Sequence, residues 1–406
     1  MSSLAFFQTG IADLTAARPK PASAFESQQE EFFAEIVDLD ELTQLRPAWA
    51  DLVTRALEPN VFLEPAFAIP LLQHCGTSEK LEFLLAWAKE GANTRHRLLG
   101  LLPLSLPGPF GFFAHGAAHE HAPLGTPLFD RDRGQEALHE MIGWLRRHRP
   151  GLTGLMLPHL PKQGPTFALL RLYAEASQTR LYLFNEYARA ALSKAASDAP
   201  DVISAKRRKQ YRQQRRRLSE NGEVTYRSVR DPAEIRQATE EFLSLEYKGW
   251  KGARKTALLA ASSGATFFRS MTRSMALEGK CRIDTLEIDG APIAIGVVIQ
   301  SGDRALYWKT AYDERFAALS PGVQLTLELT QTQLASPTVA LTDSCAVANH
   351  PMIDHIWKDR IAMTNALLPI HAQGLSFSLG LWLEIVQEQL RSKVKPLVKR
   401  LLRRRH

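Results

Sequence analysis

Cysteine is scarce in this chain. Cys75, Cys281 and Cys345 are the three among 406 residues, and none forms a C-x-x-C pair. Such spacing excludes a disulfide framework and a cysteine-based zinc site, and it fits a reducing compartment. No run of 18 or more apolar residues occurs, so no membrane-spanning helix is expected. The opening MSSLAFFQTGIADL carries no basic residue before its short apolar run, and a cleaved signal peptide is not expected. A cytoplasmic protein, with peripheral attachment at the inner membrane as an option, is the reading these absences leave. The nucleophile elbow, the Walker loop, the dinucleotide glycine fingerprint and H-E-x-x-H are all missing. Acid is missing too, from two stretches: Lys206 to Arg217 and Arg391 to His406 each hold eight basic residues and no Asp or Glu.

The net charge of +7 therefore hides an uneven distribution. Outside those two stretches, 34 basic residues face 43 acidic ones, so the body is acidic and the basicity is confined to two patches. Each patch suits an anion: a phosphate, a nucleic acid or an anionic membrane surface. Apolar residues at 45% and charged ones at 23% describe a globular chain, long enough for two or three domains.

Taken in order, residues 1–30 read as a flexible tail. FFAEIVDLD reads as a strand and LTQLRPAWADLVTRAL as an amphipathic helix kinked at Pro47. LEFLLAWAK and RLLGLLPLSLP pair around Gly91-Ala92-Asn93, and GTPLFD leads to a helix over 134–148. LTGLMLPHL (strand), TFALLRLYAEA (helix) and RLYLFNEYARAAL (strand) follow. A similar order then returns: a basic helix, the strand VTYRSV, a helix begun at Asp231-Pro232, and a second helix at FFRSMTRSMALEG. The expected division is a tail at 1–30, halves at 31–193 and 194–372, and a basic C-terminal helix at 373–406, broken by Pro396. The fold class is α/β (α+β), with two mixed-sheet halves flanked by helices.

The stretch from Cys281 to His350 carries the strongest signal. CRIDTLEIDG and APIAIGVVIQSG join through Asp289-Gly290, a hairpin dipeptide, and RALYWKTAYD follows after Ser301-Gly302-Asp303. ERFAAL then leads to Ser320-Pro321-Gly322, read as a helix start with Ser320 at the N-cap and Pro321 at the first helical position. TVALTDSC closes the stretch as a strand. This order, and the segments IDGAPIAIGVVIQSG, YWKTAYDERFAALSPGVQL and LTDSCA, resemble the acyl-CoA N-acyltransferase (GNAT) superfamily. The likeness is greatest to its CelD/BcsL-like branch, itself similar to the Fem-type aminoacyltransferases. The resemblance covers 195–370 well and 30–190 loosely. It implies a tandem GNAT-like fold and an acyl-CoA co-substrate, acetyl-CoA by default, whose pyrophosphate sits at the helix start. The usual Gln/Arg-x-x-Gly-x-Gly/Ala cradle is absent, and Gly322 with Ser320 stands in its place.

Amine acylation needs an oriented amine, a proton acceptor and donors for a developing oxyanion. Candidate catalytic residues are Asp313 as base, Tyr312, Asp343 and His350, each with a turn- or cap-forming alternative. Lys309, Ser320, Gly322, Val323 and Gln324 are candidates for the acyl carrier. Glu246, Trp250, Lys251 and Ser344 are candidates for the acceptor; in the resembling branch a stretch like EYKGWKG borders its pocket. Arg208, Arg212, Arg215 and Arg216 share one helical face and form an anion patch, unless acidic neighbours neutralise them. His115, His119 and His121 lie in a glycine- and proline-rich loop and read as a polar rim rather than a metal site, so no metal is expected.

The expected activity is acyl transfer from coenzyme A to a small-molecule or glycan amine by direct attack, since no activated Cys or Ser signature is present. Alternatives are Fem-like transfer from aminoacyl-tRNA and a non-catalytic scaffold at a polysaccharide or membrane complex.

Overall fold

A computed structural model describes residues 31–76, 81–90, 95–107, 111–194, 203–371 and 373–403, without the side chains of 90, 95 and 391–403. The tail expected at 1–30 and the turn at 91–93 lie outside these residues. Through residue 193 the chain forms β1 (Phe32–Val37), α1 (Leu39–Gln44), α2 (Arg46–Thr54), α3 (Pro65–His74), β2 (Leu81–Glu90), β3 (Arg95–Ser105), β4 (Phe113–Gly116), β5 (Leu128–Phe129), α4 (Gly134–His148), β6 (Gly154–Pro161), α5 (Pro165–Ala176) and β7 (Tyr182–Ser193). Then come α6 (Ala205–Ser219), β8 (Val224–Val229), α7 (Pro232–Lys248), α8 (Trp250–Ala253), α9 (Ser262–Leu277), β9 (Cys281–Ile288), β10 (Ala291–Ser301), β11 (Arg304–Tyr312), α10 (Pro321–Ala335), β12 (Leu341–Asp343), β13 (Asp359–Pro369) and α11 (Leu375–Arg403).

Local chemistry accounts for several boundaries. Asp289 and Gly290 both have positive φ, 49° and 76°, which the tight β9–β10 hairpin requires and Gly supplies without strain. Asp231 caps α7 by accepting from the Ala233 and Glu234 N–H groups. Pro47 does more than kink its helix: α1 ends at Gln44 and α2 starts afresh at Arg46. Two expectations are corrected. The strand read over TVALTDSC is only Leu341–Asp343, because Cys345 adopts φ +51° and turns the chain away. Pro396 does not end the last helix, which continues to Arg403; a proline removes one backbone bond without obliging the helix to stop.

The strands form one 13-stranded sheet in the order β1-β2-β3-β4-β6-β13-β7-β12-β11-β10-β9-β8, with β5 paired to β3. Each flank has the same plan: an antiparallel run, then a parallel pair joined through a helix, β4 with β6 by way of α4 and β11 with β12 by way of α10. The last strands are exchanged. β13 pairs with β6, and β7 pairs with β12, so each half ends on a strand supplied by the other. The element order thus repeats one plan on the two flanks of the sheet. Buried apolar clusters lie on both faces of the sheet, one joining α3, α7 and α9 around Phe67, Phe242 and Phe267, another beneath α10 around Leu329 and Trp357.

Candidate active site

The site begins where a strand pair opens. β11 and β12 pair at three positions, Arg304 with Leu341, Ala305 with Thr342 and Leu306 with Asp343. β11 runs on from Tyr307 to Tyr312, but the chain beyond Asp343 stays with β7, its Ser344 N–H donating to the Ala190 carbonyl at 3.1 Å. Over the same stretch, along the opposite edge of β11, the β10–β11 register slips. Val297 faces Lys309 while Val298 faces Tyr307, leaving Trp308 as the extra residue of a bulge. A bulge places neighbouring side chains on one face. Trp308 packs among the α3 and α9 aromatics, 5.5 Å from Phe67 and 6.0 Å from Phe268. Lys309 Nζ lies 4.8 Å from the Trp308 ring centre, on that same side.

The opening leads into a cavity of about 540 Å³, bounded by β11, the segment Ser344–Ala346, the start of α10 and the α7–α8 corner. Of the residues expected from the sequence, it gathers Tyr312, His350, Lys309, Ser320, Gly322, Val323, Glu246, Trp250, Lys251 and Ser344. Asp313, Asp343, Gln324, Arg208, Arg212, Arg215 and Arg216 do not line it.

Several of the exclusions have a physical reason. The Asp313 carboxylate is gripped by the Arg315 guanidinium at 2.6–3.1 Å, which holds its pKa below the ordinary value. It also caps the turn that follows β11. A carboxylate so held is a poor proton acceptor. Asp343 points into the sheet, paired with buried Arg189 from the exchanged strand β7 and accepting from the Cys345 N–H at 2.9 Å. Gln324 ties α10 to α6 through the Tyr211 carbonyl at 3.0 Å. In the arginine patch, Arg212 and Arg216 are exposed and Arg215 pairs with Glu328 at 3.6 Å, one instance of the neutralised arrangement. Arg208 is half-buried on the same helix.

Ser320 occupies the N-cap position of α10, but its side chain does not cap. Its backbone is left-handed (φ 52°, ψ 56°), and its Oγ accepts instead from Gln214 Nε2 at 3.1 Å. The Ser320 carbonyl takes the N–H groups of Val323 and Gln324, and Pro321 has none to offer. Gly322 is left with a first-turn N–H that bonds to nothing among the described residues, at the positive end of the helix dipole. A Cβ on Gly322 would meet Met352 Sδ and Tyr312 Cδ1, each at an ordinary 3.7 Å, so the position is open rather than crowded.

On the other face, buried Glu246 accepts from Lys251 Nζ at 2.7 Å and from the Leu258 N–H at 2.9 Å. Lys251 Nζ also reaches the Thr310 carbonyl at 3.5 Å. Glu246 is thus already satisfied, and no carboxylate lies within ion-pairing distance of Lys309 among the described residues. Burial lowers the Lys309 pKa to about 8, with Lys251 adding to the effect against the pull of Glu246. His350 Nδ1 accepts from the Met352 and Ile353 N–H groups at 3.3 and 3.4 Å, so the neutral ring carries its proton on Nε2. Burial keeps that ring below its usual pKa. Cys345 lines the cavity, yet burial and Asp343 push its thiol pKa up, opposite to what an activated nucleophile needs.

The histidine loop meets this site from behind. His121 stacks on Phe267 at 5.4 Å, and its carbonyl accepts from Trp308 Nε1 at 2.9 Å. Among the described residues no group of three His, Cys, Asp or Glu is placed to hold a metal.

In the first half a carboxylate turns the chain just before α4. There the approach to α4 receives Asp130, whose carboxylate accepts from the Asp132 and Arg133 N–H groups and pairs with Arg55 and Arg97.

Three features were missed from the sequence: the bulge at Trp308, Arg189 behind Asp343, and the contact of His121 with the pocket floor. The imperfect alternation of Lys309, Tyr312 and Asp313 was the available sign of the irregularity in β11. Arg189 had none, since the strand exchange is non-local.

Comparison with known proteins agrees with the geometry. Residues 205–336 match the family described as Acetyltransferase (GNAT) domain. The chain carries a GNAT-type acyltransferase domain over these residues. The crystal structure of FemX is similar at 9% identity, covering 78% of this chain and 90% of that one, with a TM-score of 0.50. A conserved protein of unknown function from Bacteroides thetaiotaomicron is similar at 10% identity, covering 80% and 97% of the two chains, also with a TM-score of 0.50. At such identities the likeness concerns the fold. No curated protein matches the chain.

Proposed function

We propose that this protein moves an acyl group, acetyl by default, from coenzyme A to an amine by direct attack within the pocket between β11 and β12. The observation that carries the reading is the opened edge of β11, a strand bulged at Trp308, facing the unoccupied Gly322 N–H of α10. The α10 start suits the donor's phosphates, with Ser320, Gly322 and Val323 around them. The unpaired edge of β11 suits the thioester, and the face holding Glu246, Trp250, Lys251 and Lys309 suits the acceptor.

In this reading neutral Lys309 takes a proton from the acceptor's ammonium group. The freed amine attacks the thioester carbonyl, forming the C–N bond. The C–S bond then breaks, and the thiolate receives the proton lost by the new amide nitrogen. Backbone N–H groups of β11 stabilise the oxyanion. His350 Nε2–H and the Tyr312 hydroxyl are the donors placed to meet the leaving sulfur. Asp343 and Arg189 act as positioning residues for the Ser344–Cys345 wall. Cys345, kept protonated, forms no acyl-enzyme. The test is release of free coenzyme A thiol from acetyl-CoA across a panel of amines, including amino sugars. Turnover that Lys309→Met abolishes supports the reading; turnover equal to wild type overturns the assignment of Lys309.

A second reading, aminoacyl-tRNA as donor, rests on α6. That basic helix abuts the α10 start through Gln214, which also donates to the Ala318 carbonyl at 3.3 Å. RNA binding that falls steeply with salt would favour it. Residues 31–193 and 194–372 serve in either case as the two halves of one enzyme, with the first as support.

A further inference from the structure

The last helix presents a face that no described residue covers. α11 docks by one side: Phe377 is buried against Phe113 and Tyr182, at ring distances of 5.7 and 5.4 Å. Gly380 permits that approach, since a Cβ there would fall 2.8–2.9 Å from Phe113 and Phe112. The Asn185 N–H donates to Glu388 further along the same side. The other side is apolar and exposed: Leu375 is 91% exposed, Leu379 50%, Trp382 58% and Leu390 56%. At 100° per residue, positions 375, 379, 382, 386 and 390 fall within one stripe, opposite to Phe377 and Glu388. From Arg391 to His406 the sequence holds eight basic residues and no acid.

We propose that α11 is an interfacial anchor that lays this stripe into an anionic lipid bilayer surface, with the basic end held by lipid headgroups. An apolar stripe carrying a tryptophan, continued by a run of basic residues, has the composition of a helix lying in the membrane interface. Charge selects this occupant over a second copy. A coiled-coil seam through Leu379, Trp382 and Val386 would next require Gln389, Lys393 and Pro396 at its apolar positions, so no seam of three heptads exists. No helix among the described residues is long and apolar enough to cross a membrane, so the attachment is to one surface.

The experiment is co-sedimentation of the full chain with vesicles of phosphatidylcholine alone or with about one-third phosphatidylglycerol, at low and physiological salt. Each basic residue near an anionic surface contributes about fivefold in affinity. The expected result is therefore anionic-vesicle binding at least 100-fold tighter than neutral, reduced at least tenfold by Leu379→Glu with Trp382→Glu. These side chains are exposed, so folding, checked by circular dichroism, should persist. Brominated lipid should quench wild-type fluorescence more than that of Trp382→Phe, reporting insertion rather than adsorption through α6. Absence of anionic-vesicle binding overturns the proposal, as does binding unchanged by the double substitution. So does a concentration-dependent dimer that the same substitutions dissolve.

Discussion

Replacing Lys309 by Met should do two opposite things. The side chains are close in length, so the apolar stem stays packed while the amine is lost. Burial holds the Lys309 pKa at about 8 against an ordinary 10.5, so below pH 8 the folded protein keeps a charge its surroundings disfavour. One pKa unit corresponds to about 1.4 kcal/mol, so the fall from 10.5 to about 8 sets a ceiling of about 3 kcal/mol. Solvent at the cavity mouth reduces this to about 1–2 kcal/mol. A lysine with a lowered folded pKa is a liability that is full below the folded value and fades as pH rises toward the unfolded one. Lys309→Met should therefore gain about 1–2 kcal/mol in urea unfolding at pH 7, and the gain should shrink between pH 8 and 10.5. Thiol release should meanwhile fall about 10²–10⁴-fold, the usual worth of a general base, and Lys309→Arg should not restore it. Wild-type turnover should climb with pH and level off near 8. A variant less stable at pH 7, or a stability difference that does not change with pH, would refute the reasoning.

Further outcomes concern the supporting structure. Asp343→Ala leaves Arg189 buried without its partner and should lose about 3–5 kcal/mol in chemical denaturation. Cys345→Ala should retain most turnover, and mass spectrometry of wild type incubated with acetyl-CoA should show no acylated Cys345 peptide. Ser320→Gly relieves a left-handed backbone at φ 52° and should hold stability or raise it by up to about 1 kcal/mol in thermal unfolding, less the lost bond from Gln214.

Where the signal was local, the sequence was readable. Asp289-Gly290, Asp231-Pro232 and Ser320-Pro321-Gly322 each act within a few residues, and each marks a boundary that the structure has. From those boundaries the third meander strand and the helix after it could be set side by side, which is why ten of the expected residues share one cavity. What escaped depends on turn geometry or on distant partners. Arg315 claims the Asp313 carboxylate through a turn whose geometry no spacing reveals, and Asp343 meets Arg189 only because β7 crosses to the other half. Ser320 has the composition of a cap, but Gln214, more than 100 residues earlier, takes its hydroxyl. Charge patterning marked α6 and the C-terminal run as basic; exposure was needed to separate a helix leaning on the pocket mouth from one with an uncovered apolar stripe.

The most direct measurement is calorimetric titration of acetyl-CoA into the wild-type protein and into Gly322→Asp. There is room for the new side chain, since a Cβ meets nothing nearer than 3.7 Å, so its carboxylate would face the α10 start without unfolding it. Micromolar binding by wild type, with at least a 100-fold loss in Gly322→Asp, is the expected result and locates the donor's phosphates at α10. Equal binding by both proteins, or none by wild type with acyl chains of several lengths, would contradict coenzyme A as the donor at this site.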